Sequence, residues 1–211
     1  MNPTLPNLSR PALELAPALL GVRLVRIDAA GIRRVGIIVE TEAYPGGLDR
    51  ASHTAGGRRT PRTESMYLEG GHAYVYRIYG IHDCLNVVAG SSESGEAVLL
   101  RAVRPESGID AMRRDHPGIS DRDLARGPGR LCKALAVGRD LDRVRFGSGP
   151  LKLETGPVFS ADDIVAAPRV GIDGAGEWAR RPWRFLAGDP AWWSVRPRDD
   201  DSFSVGSARP G

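Results

Sequence analysis

Ala73-Tyr74-Val75-Tyr76-Arg77-Ile78-Tyr79 is a run of aromatic and β-branched side chains closed by Gly80. Such residues favour a pleated, half-buried surface. Two similar runs follow, Cys84-Leu85-Asn86-Val87-Val88 and Ala97-Val98-Leu99-Leu100-Arg101-Ala102-Val103, with the turn-rich stretch 90–95 between them. Links this short cannot hold a crossover helix, so the centre of the chain predicts an antiparallel meander. Upstream, Val22-Arg23-Leu24-Val25-Arg26-Ile27, the turn Asp28-Ala29-Ala30-Gly31 and the run 32–44 read as a hairpin. Before it, Ser9 is expected to cap a helix with Pro11 in its first turn and Leu13, Ala16, Leu19 and Leu20 on its apolar side, kinked at Pro17 and stopped by Gly21. Downstream the expectation is helices over 108–114 and 128–137, then short strands near 151–154 and 169–172. The fold class that follows is α+β: a single domain over 1–197 with a curved antiparallel β-sheet core and flanking helices, and a disordered tail over 198–211.

A chain of 211 residues can bury about 70% of its unfolded surface in one core. With 41% hydrophobic and 26% charged residues it has the composition of a globular protein. No apolar run approaches the 18 residues of a membrane span, and Met1-Asn2-Pro3-Thr4-Leu5-Pro6 lacks the pattern of a secretory signal, so a cytoplasmic protein without membrane contact is expected. Cys84 and Cys132 have no companion Cys or His at ligand spacing, which predicts two buried thiols, no disulfide framework and no metal. The net charge of +3 permits nucleic-acid binding without demanding it. Lys133 and Lys152 are the only lysines, so amine nucleophiles are scarce.

The five tyrosines, Tyr44, Tyr67, Tyr74, Tyr76 and Tyr79, fall within 36 residues. Strand alternation puts Tyr74 and Tyr76 on one face and Val75, Arg77 and Tyr79 on the other. Packing alone accounts for many strand tyrosines. Here Arg58, Arg59, Arg62 and Arg77 accompany them, the combination that stacks bases while holding phosphates. The run 37–44 contains Glu40 and Glu42, which alternation places on one face, as a general base beside a loop or as a surface pair. Both carboxylates stay open at this level. His53, in the long irregular segment 45–71, reads either as a solvated turn residue or as a stacking plate. Gly127-Pro128-Gly129-Arg130-Leu131 opens a helix that suits a phosphate at its N-terminus. The zinc-deaminase, P-loop and nucleophile-elbow motifs are absent.

Taken in order, Val39-Glu40-Thr41-Glu42-Ala43-Tyr44, Ser52-His53, Gly56-Gly57-Arg58, Thr60-Pro61-Arg62, Tyr74-Val75-Tyr76-Arg77-Ile78-Tyr79-Gly80, Cys84-Leu85-Asn86-Val87, Val98-Leu99-Leu100-Arg101-Ala102, the Gly127-Pro128-Gly129 turn and Arg169-Val170-Gly171 resemble the alkyladenine (3-methyladenine) DNA glycosylase family. The resemblance runs from about Leu13 to Trp193. It implies a monomeric, cofactor-free hydrolase of base excision repair that binds double-stranded DNA containing damaged purines, flips an alkylated or deaminated purine and hydrolyses its N-glycosidic bond, without lyase activity. By position, Glu42 matches the acid/base that activates water and Arg101 a second holder of that water. Tyr44, His53 and Tyr76 match the walls around the flipped base, Asn86 the residue that crowds the amine of normal guanine, and Tyr79 the residue that enters the duplex. Arg58, Arg62 and Arg130 are the expected DNA contacts. His82 and Arg130 depart from relatives that carry an aromatic and a lysine there, and the 90–95 segment is slightly longer than in vertebrate relatives. The competing class is a non-catalytic nucleic-acid binder using the same tyrosine and arginine groove.

Overall fold

The computed structural model describes residues 4–147 and 149–207. β1 (Arg23–Ile27) and β2 (Arg33–Tyr44) form the expected hairpin; β3 (Ala73–Ile78), β4 (His82–Ala89) and β5 (Glu96–Ser107) form the expected meander. Four short strands complete the sheet: β6 (Leu151–Glu154), β7 (Val165–Ala167), β8 (Arg184–Leu186) and β9 (Phe203–Ser204). β2 is central. It pairs antiparallel with β5 on one edge, and its other edge is divided between β1 at 33–37 and β8 at 40–42. The main order is β3-β4-β5-β2-β8-β7-β9, with β6 on β1, so all pairings are antiparallel as expected.

α1 (Ala12–Ala18), α2 (Ile109–Asp115) and α3 (Pro128–Ala134) share one apolar cluster with one face of the sheet, through Leu15, Leu19, Met112, Leu131, Ile38 and Leu100. Ser9 does not cap α1. Pro11 holds the cap position, and the Ala12 N–H donates instead to the Glu96 carboxylate at 2.7 Å, 84 positions on. The buried stripe is Ala12, Leu15, Ala16 and Leu19, which obeys the helical i, i+3, i+4, i+7 spacing, and Leu13 is exposed.

The strand expected at 169–172 is also corrected. β7 ends before Pro168, Gly171 has φ 77°, and the Val170 N–H donates to a carboxylate instead of a ladder. Within 198–211, where the composition suggested disorder, Phe203 and Ser204 pair with β7 and the Val205 N–H donates to Ile164; residues 208–211 lie outside the described ones. The irregular 45–71 segment carries three short 3-10 turns.

Two register shifts between β2 and β5 decide what the sheet presents. Ile38 faces Val103 and Glu40 faces Ala102, so Val39 is an extra residue on β2; Thr41 then faces Leu100, so Arg101 is an extra residue on β5. A one-residue bulge exchanges the faces of all that follows. Ile38 lies in the helix-covered cluster, yet so does Ala43, and the Thr41 hydroxyl donates to the Ala16 carbonyl of α1. Glu40, Glu42 and Tyr44 are thereby turned to the opposite face, away from the apolar core that strict alternation from Ile38 would have given them.

Candidate active site

On that opposite face lies a cavity of about 620 Å³, lined among others by Tyr44, His53, Tyr76, Asn86, Arg101 and Val170. Tyr79 and Arg130 also line it, from the β3–β4 hairpin tip and the start of α3. The fold therefore brings together residues from seven separate stretches of sequence.

Glu42 is fully buried, one layer behind the wall. Three wall groups hold its carboxylate: the Tyr44 hydroxyl donates at 2.9 Å, the Val170 N–H donates at 2.7 Å, and Arg101 Nη1 lies at 3.2 Å. Glu40 is held differently. Its carboxylate accepts from Arg101 Nε at 3.0 Å, Arg184 Nη1 at 3.1 Å, the Ser194 hydroxyl at 2.8 Å and the Ser194 N–H at 2.5 Å. Glu40 is thus a sealed structural anion, whereas the partners of Glu42 open onto the cavity. Arg101 bridges the two carboxylates, and although burial disfavours its charge, Glu42 and Glu40 hold the guanidinium above its ordinary value.

The aromatic walls are equally constrained. Burial, then the neighbouring Glu42 charge, push the Tyr44 hydroxyl well up, so it stays a donor. Burial likewise raises the Tyr76 hydroxyl. The His53 ring meets Tyr76 edge-on at 4.6 Å between centroids, and its Nδ1 lies 2.9 Å from the Tyr74 hydroxyl. Burial, then Arg62 and Arg58, lower His53 to about 4, so a neutral imidazole faces the cavity at pH 7. Because the folded state disfavours the proton that the unfolded chain binds near pH 6.5, stability should fall as pH drops from about 6.5 towards 4. Urea midpoints at pH 7 and pH 5 should converge for His53→Gln relative to the parent chain; an undiminished difference would remove His53 from the acid dependence.

Asn86 is buried and donates to the Tyr74 carbonyl at 3.0 Å, which fixes its amide at the cavity wall. Tyr79 is 85% exposed with φ 53°, an uncommon backbone for a bulky side chain, in the tight turn before Gly80. The bidentate Arg77–Asp83 pair at 2.8 and 2.9 Å braces the base of this turn. Arg59 is tied to Glu64 and Glu93, whereas Arg58 is exposed and Arg62 lies over the Tyr76 ring at 5.4 Å. Arg130 has a distant partner, Asp123 at 3.7 Å. Neither Lys133 nor Lys152 lines the cavity. Among the described residues, no cluster of His, Cys, Asp and Glu is arranged to hold a metal, and no helix is long and apolar enough to cross a membrane.

Two contributors were missed. The Val170 N–H reaches Glu42 only because 169–172 is not a strand, and no local pattern announces that. Cys84 lines the cavity opposite Tyr76, which strand alternation with Asn86 would have revealed.

Residues 7–190 match the model of the methylpurine-DNA glycosylase family. The chain is 43% identical over 201 residues to the DNA-3-methyladenine glycosylase of Mus musculus and 42% identical over 200 residues to that of Homo sapiens, each alignment covering 90% of the chain. It spans 60% and 66% of the length of those proteins. A Bacillus thuringiensis protein, provisionally named a 3-methyladenine DNA glycosylase, is 43% identical over 183 residues, covering 82% of the chain and 89% of that protein.

Proposed function

The chain belongs to the methylpurine-DNA glycosylase family, and from that premise we propose that it is a monofunctional DNA glycosylase of base excision repair, acting as a cytoplasmic monomer through one domain that includes β9. Its substrate is duplex DNA containing an alkylated or deaminated purine. Flipping that base costs a few kcal/mol of stacking, which an aromatic slot recovers in part. Tyr44, His53 and Tyr76 receive the base, Asn86 crowds the exocyclic amine of guanine, Tyr79 fills the vacated stack, and Arg58, Arg62 and Arg130 contact the phosphates.

Water supplies the oxygen that bonds to C1′ as the C1′–N bond breaks and its electron pair leaves with the base. Glu42 takes the proton of that water and faces the positive charge that develops on the sugar, as carboxylates do in glycoside hydrolysis. Arg101 holds the water beside it. The observation that carries this reading is the Glu42 carboxylate held by Tyr44, Val170 and Arg101 directly behind an aromatic cavity. A groove that only bound nucleic acid would gain nothing from an anion there.

The test is excision from duplexes carrying 3-methyladenine, hypoxanthine or ethenoadenine. At least one base should be released, the strand should break only after later alkali, and borohydride added during turnover should trap no protein–DNA adduct. Release of none of the three overturns the activity. A trapped adduct lost on mutating Lys133 or Lys152 overturns the water mechanism, since amine attack passes through a Schiff base. For Tyr79→Ala, affinity for a lesion duplex should drop by about tenfold or more, with a much smaller loss on a single strand; equal losses would count against insertion into the stack.

A further inference from the structure

The wall residue Tyr44 has a cation behind it. The Arg169 guanidinium lies over the Tyr44 ring with its carbon 4.6 Å from the centroid, and over Trp183 at 5.0 Å on the way to Trp178. Arg169 is buried and does not line the cavity, so it covers the ring face turned away from the space that Tyr44 borders. Its Nη donors are committed to Asp49, to the Ala43 carbonyl at 2.9 Å and to the Trp178 carbonyl at 3.3 Å, while its buried Nε has no hydrogen-bond partner. Both Arg169 and Asp49 side chains are fully excluded from solvent.

A cation on one face of an aromatic ring draws its electron density and makes the other face a poorer partner for a second cation. Tyr44 also feels the opposite influence, because its hydroxyl donates to the Glu42 carboxylate. Glu42 enriches the ring and Arg169 depletes it, with Asp49 moderating the depletion from the Nη edge of the guanidinium. We propose that Arg169 is a specificity-determining residue, which weakens the hold of the slot on cationic N-alkylated purines relative to neutral damaged purines of the same size. This inference rests on the reading of the cavity as the slot for a flipped base. Arg169 acts through Tyr44 and is a positioning residue, not a catalytic one.

Two variants move the ring in opposite directions. Arg169→Met with Asp49→Asn removes cation and counter-ion together, which avoids the orphaned charge that makes breaking a buried pair so damaging. Asp49→Asn alone keeps the guanidinium and strips its moderator. Affinities are read in a Glu42→Gln background, so that chemistry does not enter, on duplexes with one N7-methylguanine, a fixed cation, or one hypoxanthine, which is neutral. The preference for N7-methylguanine over hypoxanthine should rise about threefold or more in the double variant and fall in Asp49→Asn. A merely structural role weakens both duplexes alike. A constant preference, or one moving the same way in both variants, overturns the proposal, and the double variant decides it alone if Asp49→Asn, which leaves a buried guanidinium without its counter-ion, does not fold. Release of both bases by the parent chain with no change in preference rejects this inference only; release of neither, nor of 3-methyladenine or ethenoadenine, rejects the glycosylase reading and the inference with it.

Discussion

Glu42→Gln is expected to lower single-turnover release of hypoxanthine from a duplex by about 100- to 10,000-fold, the usual contribution of a positioned base, while affinity for the lesion duplex persists or tightens. Glutamine keeps the shape of the side chain; with its oxygen towards the Val170 N–H it still accepts there, and its NH2 can donate to the Tyr44 hydroxyl oxygen in a reversed hydrogen bond, so the wall should stand. What it loses is the capacity to take a proton and the anion that faces the sugar. Retained binding separates this outcome from unfolding. Near-normal release by Glu42→Gln, with Glu40→Gln inactive, would mean that the base has been assigned to the wrong carboxylate.

That assignment marks the limit of what the residues alone disclosed. The hairpin of β1 and β2 and the meander of β3 to β5 were legible because both rest on neighbouring runs joined by short turns, where alternation and turn residues act locally. The aromatic wall was legible for the same reason: Tyr74 and Tyr76 share a face, and β4 lies beside them at Cys84 and Asn86. Glu40 and Glu42 were indistinguishable because they differ only in distant partners. Arg184 and Ser194 lie 144 and 154 positions from Glu40, and Val170 lies 128 from Glu42. The bulges at Val39 and Arg101 were equally hidden, since a bulge depends on what the opposite strand presents. At α1 the stripe containing Leu13 was misplaced although the helical spacing through Leu15 was available, and the cap came from Glu96 across the fold. The pair of Asp49 and Arg169, 120 positions apart, has no local signature, yet it shapes the wall at Tyr44.

Glu40→Ala is expected to destabilise the fold by about 3–5 kcal/mol, the cost of removing one partner from a buried ionic cluster. Glu40 is fully buried and accepts from two arginines and from both polar groups of Ser194, tying β2 to β5, to β8 and to the segment after Trp193. Without it, Arg184 keeps the Pro168 and Val195 carbonyls but loses its carboxylate, and Arg101 keeps Glu42 and the Ser194 hydroxyl, one carboxylate where it had two. The destabilisation should appear as a lower urea midpoint with an unchanged slope. Glu40→Gln should lose less, since its amide oxygen can still accept from Arg101 or Ser194 while the charge is gone. Excision by the folded fraction of Glu40→Gln should stay far above that of Glu42→Gln, because Arg101 is the one partner of Glu40 that lines the cavity, and it keeps Glu42. A Glu40→Ala chain as stable as the parent, but unable to release any base, would reverse the roles given to the two carboxylates.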